Sequence, residues 1–263
     1  MSDIHSKPVL LTGASGNIGR FLAKTLAEAG WTLRLSDVVP FPGPLPERAT
    51  FARVDLGQGL EVMRLAERCS LILHYGGASH DLWPFEDILN ANLRGIYHIY
   101  EAARRERARV VFASSNHVTG FHERTTALDS DCELRPDSLY GVSKAYGELL
   151  AKLYWMKHGV ESVIVRIGSC FPEPSTERML STWLSYEDLG RLMIKCGEAE
   201  TVGYKIIWGA SNNSRTFWRR DARADVGWTP QDRADAYAEK LLGMVTDNPI
   251  VEKYQGGVDT SRG

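Results

Sequence analysis

The sequence predicts an α/β fold built on a doubly wound parallel sheet, with a small C-terminal substrate-binding portion. Short apolar runs alternate with amphipathic stretches along most of the 263 residues. A glycine-rich turn joins the first run to the first amphipathic stretch, and no repeat or low-complexity segment interrupts the series. Strands that alternate with helices form parallel crossover units, and such sheets bind ligands at the carboxyl ends of their strands. The expected organisation is one domain over residues 1–263, in which residues after about 171 contribute most of the substrate pocket.

The elements follow in order. "PVLLTGA" is a strand. "IGRFLAKTLAEAG" places Ile18, Phe21, Leu22, Leu26 and Ala29 on one helical face, with Gly30 as the stop. "TLRLSD" and "TFARVDL" are strands, separated by the proline-rich loop "PFPGPLP". "LILHYGG" is a short strand that ends in glycines. A helix is expected from about Pro84 to Arg105, with an apolar stripe of Phe85, Ile88, Leu89, Ile96 and Ile99. The strand "RVVFASS", a helix through Tyr140 and the strand "SVIVRIGSC" come next. A helix near Tyr186–Gly197, the strand "YKIIWGA" and a helix near Asp232–Val245 complete the series.

Composition narrows the function. A hydrophobic content of 43% supplies a core for one large domain. A net charge of −2 gives no general attraction to nucleic acid or anionic membrane. No apolar run reaches the roughly 20 residues of a membrane span. "MSDIHSKPVLLTGAS" lacks the apolar core and cleavage site of a signal peptide. Cys69, Cys132, Cys170 and Cys196 are scattered, with no C-x-x-C, so neither a metal site nor a disulfide framework is expected. Reduced cysteines point to a cytoplasmic protein.

The turn "TGASGNIG" supplies Gly13, Gly16 and Gly19. Between a strand and a helix, such glycines let a pyrophosphate approach backbone N–H groups at the helix N-terminus. Asn17 and Ile18 open that helix and are expected beside the same cofactor. This is a Rossmann-type signature, and NAD is the expected cofactor. Asp37 ends the second strand, where a carboxylate accepts the adenosine ribose hydroxyls and opposes a 2′-phosphate. Arg20 and Arg34 are nearby cations that weaken that preference. Asp55 reads either as an adenine contact, with Leu56 beside it, or as a solvated loop residue. Asn92 falls inside an apolar stripe. A buried amide needs partners, so it either faces the cofactor or ties two elements together.

"SLYGVSK" places Tyr140 and Lys144 one helical turn apart. A phenol with a reference pKa of about 10 is a poor base at neutral pH, and an adjacent ammonium favours its phenolate. "FASSNH" ends a strand in Ser114 and Ser115, where a hydroxyl can hold a substrate oxygen while Tyr140 takes its proton. Ser115, Tyr140 and Lys144 are the candidate catalytic set. Tyr146 has no lysine four residues later and reads as a packing residue.

Taken together, these motifs resemble the extended short-chain dehydrogenase/reductase superfamily from about Val9 to Phe171. A closer resemblance, nearly end to end, is to the uronate dehydrogenase family. It rests on "LHYGG", "FASSNH", "RPDSLYGVSK", "RIGSCFPEP", "RMLSTW", "IIWGAS" and "YQGG". The resemblance implies NAD-dependent oxidation of galacturonate or glucuronate at C1 to an aldarolactone. It also implies that Ser79, Ser115, Asn116, His117, Ser169 and Arg178 surround the sugar. From its own surroundings in sequence, Arg178 reads as an ordinary surface arginine, and His117 is equally compatible with a satisfied core histidine. The chain departs from the family after "YQGG", where Val258 and Asp259 stand in place of an aromatic. The implied partner is a small sugar acid, with no nucleic acid and no membrane; a homo-oligomer stays open. The rival readings are a sugar-nucleotide epimerase or dehydratase, another short-chain sugar dehydrogenase, and a non-catalytic NAD-sensing regulator.

Overall fold

The computed structural model describes residues 6–80 and 82–262. Residues 1–5, part of the N-terminal stretch read above, lie outside the described residues, as do Asp81 and Gly263. The chain forms β1 (Val9–Thr12), α1 (Asn17–Glu28), β2 (Leu33–Asp37), β3 (Ala49–Arg53), α2 (Gly59–Leu65) and β4 (Leu71–His74). It continues with α3 (Phe85–Ile88), α4 (Gly95–Glu106), β5 (Arg109–Ser115), α5 (Leu139–His158), β6 (Ser162–Ile167) and β7 (Ser169–Cys170). The last elements are α6 (Met179–Thr182), β8 (Trp183–Leu184), α7 (Tyr186–Glu198), β9 (Tyr204–Gly209), α8 (Ala238–Leu241) and α9 (Pro249–Lys253).

Seven strands pair in the order β3-β2-β1-β4-β5-β6-β9, all in parallel. The order reverses between β1 and β4, which opens a crevice at the carboxyl ends of the strands. Successive strand residues face opposite sides, so the apolar runs feed two cores. Val9, Leu11, Leu33, Leu35, Val111 and Val165 pack against Leu22 and Leu26 of α1 and Leu189 and Leu192 of α7. Leu10, Ile72, Val110 and Ile164 pack against Val62 of α2, Ile99 and Ala103 of α4, and Ala151 and Tyr154 of α5. Tyr146 joins this second core as a partly buried residue, in the packing role expected of it.

Several local expectations need correction. Ala29 is exposed, because α1 ends before it and Gly30 turns the chain away at φ +86°. The helix expected from Pro84 to Arg105 is interrupted by a π-helical turn at Leu89–Arg94. The wider turn shifts the register, so Phe85 is exposed while Ile88, Ile96 and Ile99 are buried. β6 stops at Ile167. A Cβ at Gly168 would lie 2.1 Å from the Thr182 carbonyl, and past that contact Ser169 and Cys170 leave the main sheet to pair with β8. The helix expected near Asp232–Val245 reduces to a 3₁₀ turn at Ala234–Tyr237 and the single turn α8. Ala234 and Leu241 are buried there, but Leu242, Met244 and Val245 face solvent, so no core surface extends the helix. Helix α2 carries too short a pattern to be read from sequence.

β5, α5 and β6 are locked by one buried ion pair. Arg166 donates from Nε and Nη2 to Glu148 at 3.0 and 2.8 Å, and from Nη1 to the Ser130 carbonyl at 2.9 Å. Ser114 donates to the same carboxylate at 2.6 Å. Trp208 lies 5.0 Å from the guanidinium. Removing one partner of such a pair strands a buried charge and costs about 3–5 kcal/mol. Glu148→Leu is therefore expected to lower the unfolding free energy by about that amount. The double variant Glu148→Leu/Arg166→Met is expected to recover most of the loss; urea unfolding of both variants checks this.

Candidate active site

The carboxyl ends of β1, β4, β5 and β6 border a cleft of about 690 Å³. One end is the β1–α1 turn. Gly13 has φ +69°, and a Cβ there would sit 2.6 Å from the Tyr75 carbonyl carbon. A Cβ at Gly19 would clash with the Gly13 carbonyl oxygen, whereas one at Gly16 would meet that oxygen at an ordinary 3.5 Å. Bare backbone therefore faces the cleft at the N-terminus of α1, beside Asn17 and Ile18. This fits a pyrophosphate: the first N–H groups of a helix lack intrahelical acceptors, and the glycines keep side chains from blocking the approach.

Asp37 stands at the rim, outside the cleft lining, and accepts from the backbone N–H groups of Ser15 at 3.0 Å and Val38 at 2.7 Å. Arg34 is turned away, donating to the Leu65 carbonyl at 2.6 Å, so one of the two cations weighed against NAD leaves the site. Arg20 stays near the turn, bonded to Asn17 at 2.6 Å. Asp55 is not a free loop acid: it accepts from the Gly57 N–H at 2.8 Å and from Asn90 at 3.1 Å. Leu56 is buried next to Gly76 and Gly95.

Asn92 ties two elements together. Its amide accepts from the Ala78 N–H at 2.8 Å and donates to the Ala78 carbonyl at 3.0 Å and to Ser143 at 2.8 Å. Ser143 in turn donates to the Tyr140 carbonyl at 2.7 Å. Asn90 and Asn92 both come from the π-helical turn, and Asn90 was not foreseen. Nothing in the amino-acid pattern marks a π turn.

A second chain of hydrogen bonds runs beneath the turn. Gly76 N–H donates to Thr12 Oγ1 at 3.1 Å, and Thr12 Oγ1 lies 2.8 Å from His74 Nδ1. Burial, reinforced by the Lys144 charge, lowers the His74 pKa to about 3.

Tyr140, Lys144 and Ser115 converge. Lys144 Nζ donates to the Ala113 carbonyl at 2.9 Å and lies 5.5 Å from the centre of the Tyr140 ring. Burial lowers the lysine to about 8. The phenol does not show the depression that an adjacent lysine predicts. Burial raises it to about 12; a hydrogen bond with Ser115 works the other way, and the Asp259 and Asp137 carboxylates add to the rise. Ser114 and Ser115 now separate: the first is spent on Glu148, and the second faces the cleft and accepts from the His117 N–H at 3.2 Å.

At the far end Arg178 is half-buried, not a surface arginine. Its Nε donates to the Gln255 carbonyl at 2.6 Å and its Nη1 to Ser169 at 3.3 Å. With its amide turned to suit its neighbours, Asn116 accepts from Arg178 Nη2 at 2.8 Å and donates to the Ile167 carbonyl at 3.1 Å. Burial and the Arg124 charge lower Arg178 to about 10, so it is a cation at neutral pH. His117 is held on both sides, by Asp137 at 2.8 Å and by Asp259 at 3.2 Å. Ser79 is exposed on the cleft wall. Asp137, Gln255 and Arg124 were missed in the sequence, since each acts through contacts across more than one element. Among the described residues, no group of His, Cys, Asp and Glu is placed to hold a metal ion, and no helix is long and apolar enough to cross a membrane.

A glycine-lined dinucleotide turn beside a serine, a tyrosine and a lysine defines the class: a nucleotide-dependent oxidoreductase of the short-chain type. Residues 9–218 match the NAD dependent epimerase/dehydratase family. The chain is 41% identical to the uronate dehydrogenase of Pseudomonas syringae pv. tomato, over 97% of this chain and 94% of that one. A mutant uronate dehydrogenase from Agrobacterium tumefaciens, solved in complex with NAD, superposes with a TM-score of 0.92 at 39% identity, covering 98% of each chain. The glucuronic acid dehydrogenase of Chromohalobacter salexigens gives the same TM-score at 40% identity, over 98% of this chain and 97% of that one. The chain thus belongs to the NAD dependent epimerase/dehydratase family and, within it, to the uronate dehydrogenases.

His74 generates a test of the site's foundations. Unfolded, it binds a proton near pH 6.5; folded, it resists until about pH 3. Between those values the unfolded state holds the extra proton, so stability is lost as pH falls through this window. His74→Asn, which keeps a hydrogen-bonding group beside Thr12 and cannot charge, is expected to flatten that part of the profile. Urea unfolding at a series of pH values measures it.

Proposed function

We propose that this enzyme oxidises a free hexuronic acid, galacturonate or glucuronate, at C1 with NAD and releases the aldarolactone. The observation that carries the reading is Arg178. It is a cation at the end of the cleft whose hydrogen bonds go to neutral acceptors, Gln255, Ser169 and Asn116. An anionic end group on the substrate balances that charge with a charge-assisted contact. Anchoring the acid at Arg178 orients the other end of the sugar toward Tyr140 and the cofactor.

Bound NAD supplies the hydride acceptor and a cationic ring. Gly13, Gly16, Asn17, Ile18 and Gly19 cradle the pyrophosphate, and Asp37 takes the ribose hydroxyls. Asp55 and Leu56 bound the adenine side, and Asn92 contributes by fixing the Ala78 loop. Ser115 holds the C1 oxygen, and Tyr140 Oη accepts the hydroxyl proton. Lys144 and the cationic ring together oppose the effect of burial on the phenol. Ser79, Asn116, His117 and Ser169 surround the sugar. The chain works as one domain, with residues after about 171 forming most of the pocket. It belongs in the cytoplasm, in hexuronate catabolism, without nucleic acid or membrane partners; a homo-oligomer is compatible with this reading.

Uronate dehydrogenases match at about 40% identity over nearly the whole chain, which weighs against a sugar-nucleotide epimerase. A non-catalytic sensor has no use for both Tyr140 and Lys144. Absorbance of NADH with a panel of free sugars, sugar acids and nucleotide sugars decides among these: turnover of free uronates alone is the expected result.

Three outcomes follow from this site. Tyr140→Phe is expected to keep NAD binding and lose about 100- to 10,000-fold in kcat, the usual worth of general base catalysis. The ratio of kcat/KM for NAD over NADP is expected to exceed one, because Asp37 opposes a 2′-phosphate. Arg178→Ala is expected to cut kcat/KM for galacturonate by about 10- to 1000-fold, the worth of a charged hydrogen bond and of the carboxylate left unpaired. Arg178→Lys should recover little of this, since an ammonium lacks the planar fork. The neutral sugars galactose and glucose, assayed alongside, should be poor substrates that do not worsen in either Arg178 variant.

A further inference from the structure

The segment that closes the cleft carries an acid that the reaction as described does not use. Gly257–Ser261 forms a 3₁₀ turn against the sugar end, and Asp259 lines the cleft from it. The turn is fixed in place. Gly256 N–H donates to the Gly120 carbonyl at 2.9 Å. A Cβ at Gly256 would meet the Asp137 carboxylate, and one at Gly257, φ +68°, would lie 2.7 Å from Arg178 Cδ. Only glycines let this backbone pass so close, and the result sets Asp259 Oδ2 3.2 Å from His117 Nε2. Arg262 lies beside the other oxygen at 3.6 Å.

The cleft therefore carries charge of both signs between its two ends, and the Asp259 carboxylate acts on Arg178 and on Tyr140 alike. Arg178 presents a cation held by neutral acceptors. His117 is backed by the fully buried Asp137 and fronted by Asp259, whose side chain is 14% exposed. A carboxylate accepts hydroxyl protons and repels another carboxylate. We infer that Asp259 is a specificity-determining residue: with His117 it takes a ring hydroxyl of the sugar and excludes a second carboxylate, so that the site accepts monoacids and rejects diacids. The inference rests on the uronate reading above. It gives the sugar one orientation, acid to Arg178, a ring hydroxyl to Asp259 and C1 to Tyr140, so that the second carboxylate of a diacid anchored at Arg178 falls at the Tyr140 end, within the field of Asp259. It also keeps the linear diacid, into which an aldarolactone opens by hydrolysis, from competing for the site. Specificity of this kind is a repulsion built against the wrong ligand.

The test uses the full chain with NAD and galacturonate, and the linear diacid galactarate as inhibitor. Asp259→Asn preserves size and an acceptor oxygen but removes the charge. Its kcat/KM for galacturonate is expected to fall by up to about tenfold, as a neutral acceptor binds the hydroxyl less well. Its inhibition constant for galactarate is expected to fall as well, meaning tighter binding, by about tenfold or more, as the like charge is gone. A structural role for Asp259 would weaken both ligands together, so an inhibition constant that is unchanged or raised overturns the inference. A measurement on the unmodified enzyme stands beside this one if the variant does not fold. The monoacid galactonate should inhibit about tenfold more strongly than galactarate, and equal inhibition overturns the inference. Failure of the uronate reading would show differently, as no NADH formed from galacturonate by the unmodified enzyme.

Discussion

The seam between β5 and α5 is the contact on which the rest of the site depends. A buried lysine must spend its protons on something, and Lys144 spends one on the Ala113 carbonyl inside β5. That bond fixes the helix against the strand one turn below Tyr140. One step further along, Ser114, Glu148 and Arg166 bind β5, α5 and β6 into a single unit. The seam leaves Ser115 and Asn116 at a strand end with their side chains toward the cleft. It also explains why adjacent serines have unrelated fates: alternation along the strand sends one into the ion pair and the other to the site.

Other parts of the site are tied to this seam by small polar residues. Ser143 links the Tyr140 carbonyl to Asn92, and Asn92 holds the Ala78 loop. Thr12 links the glycine turn to β4 through Gly76 and His74. A residue moved at one end therefore shifts both the dinucleotide cradle and the tyrosine. These ties are buried and hydrogen-bonded, the condition under which polar groups rigidify a core instead of weakening it.

Electrostatically the cleft is a place where burial works against the chemistry until ligands arrive. The phenol is raised to about 12 and the lysine lowered to about 8, each toward its neutral form. In the proposed reaction a bound cation beside them changes that balance, and a substrate carboxylate pairs with Arg178. Charge is thus supplied in part by the ligands themselves, and the protein's share is to hold complementary groups at fixed places in a site shielded from water.

The parallel fold, the dinucleotide turn and the tyrosine–lysine pair were all legible in the sequence, because each depends on local spacing. Apolar period, glycines at fixed offsets and residues four apart on a helix do not need the rest of the chain to be meaningful. Tertiary structure decided what local spacing leaves open. The π-helical turn turned Asn92 into a tie and brought Asn90 to Asp55, because register within a long helix depends on what it packs against. The division between Ser114 and Ser115 depended on Glu148 and Arg166, which are distant in sequence. Arg178 lines the cleft because the last segment folds over it, with Gln255 on its Nε and Gly257 against its side chain; its local sequence reads as a surface arginine, and only the family resemblance places it at the sugar. Asp259 acquired a place beside His117 by the same closure. The last two assignments join residues more than seventy positions apart, Arg178 with Gln255 and His117 with Asp259, so the chain itself had to fold before they could exist.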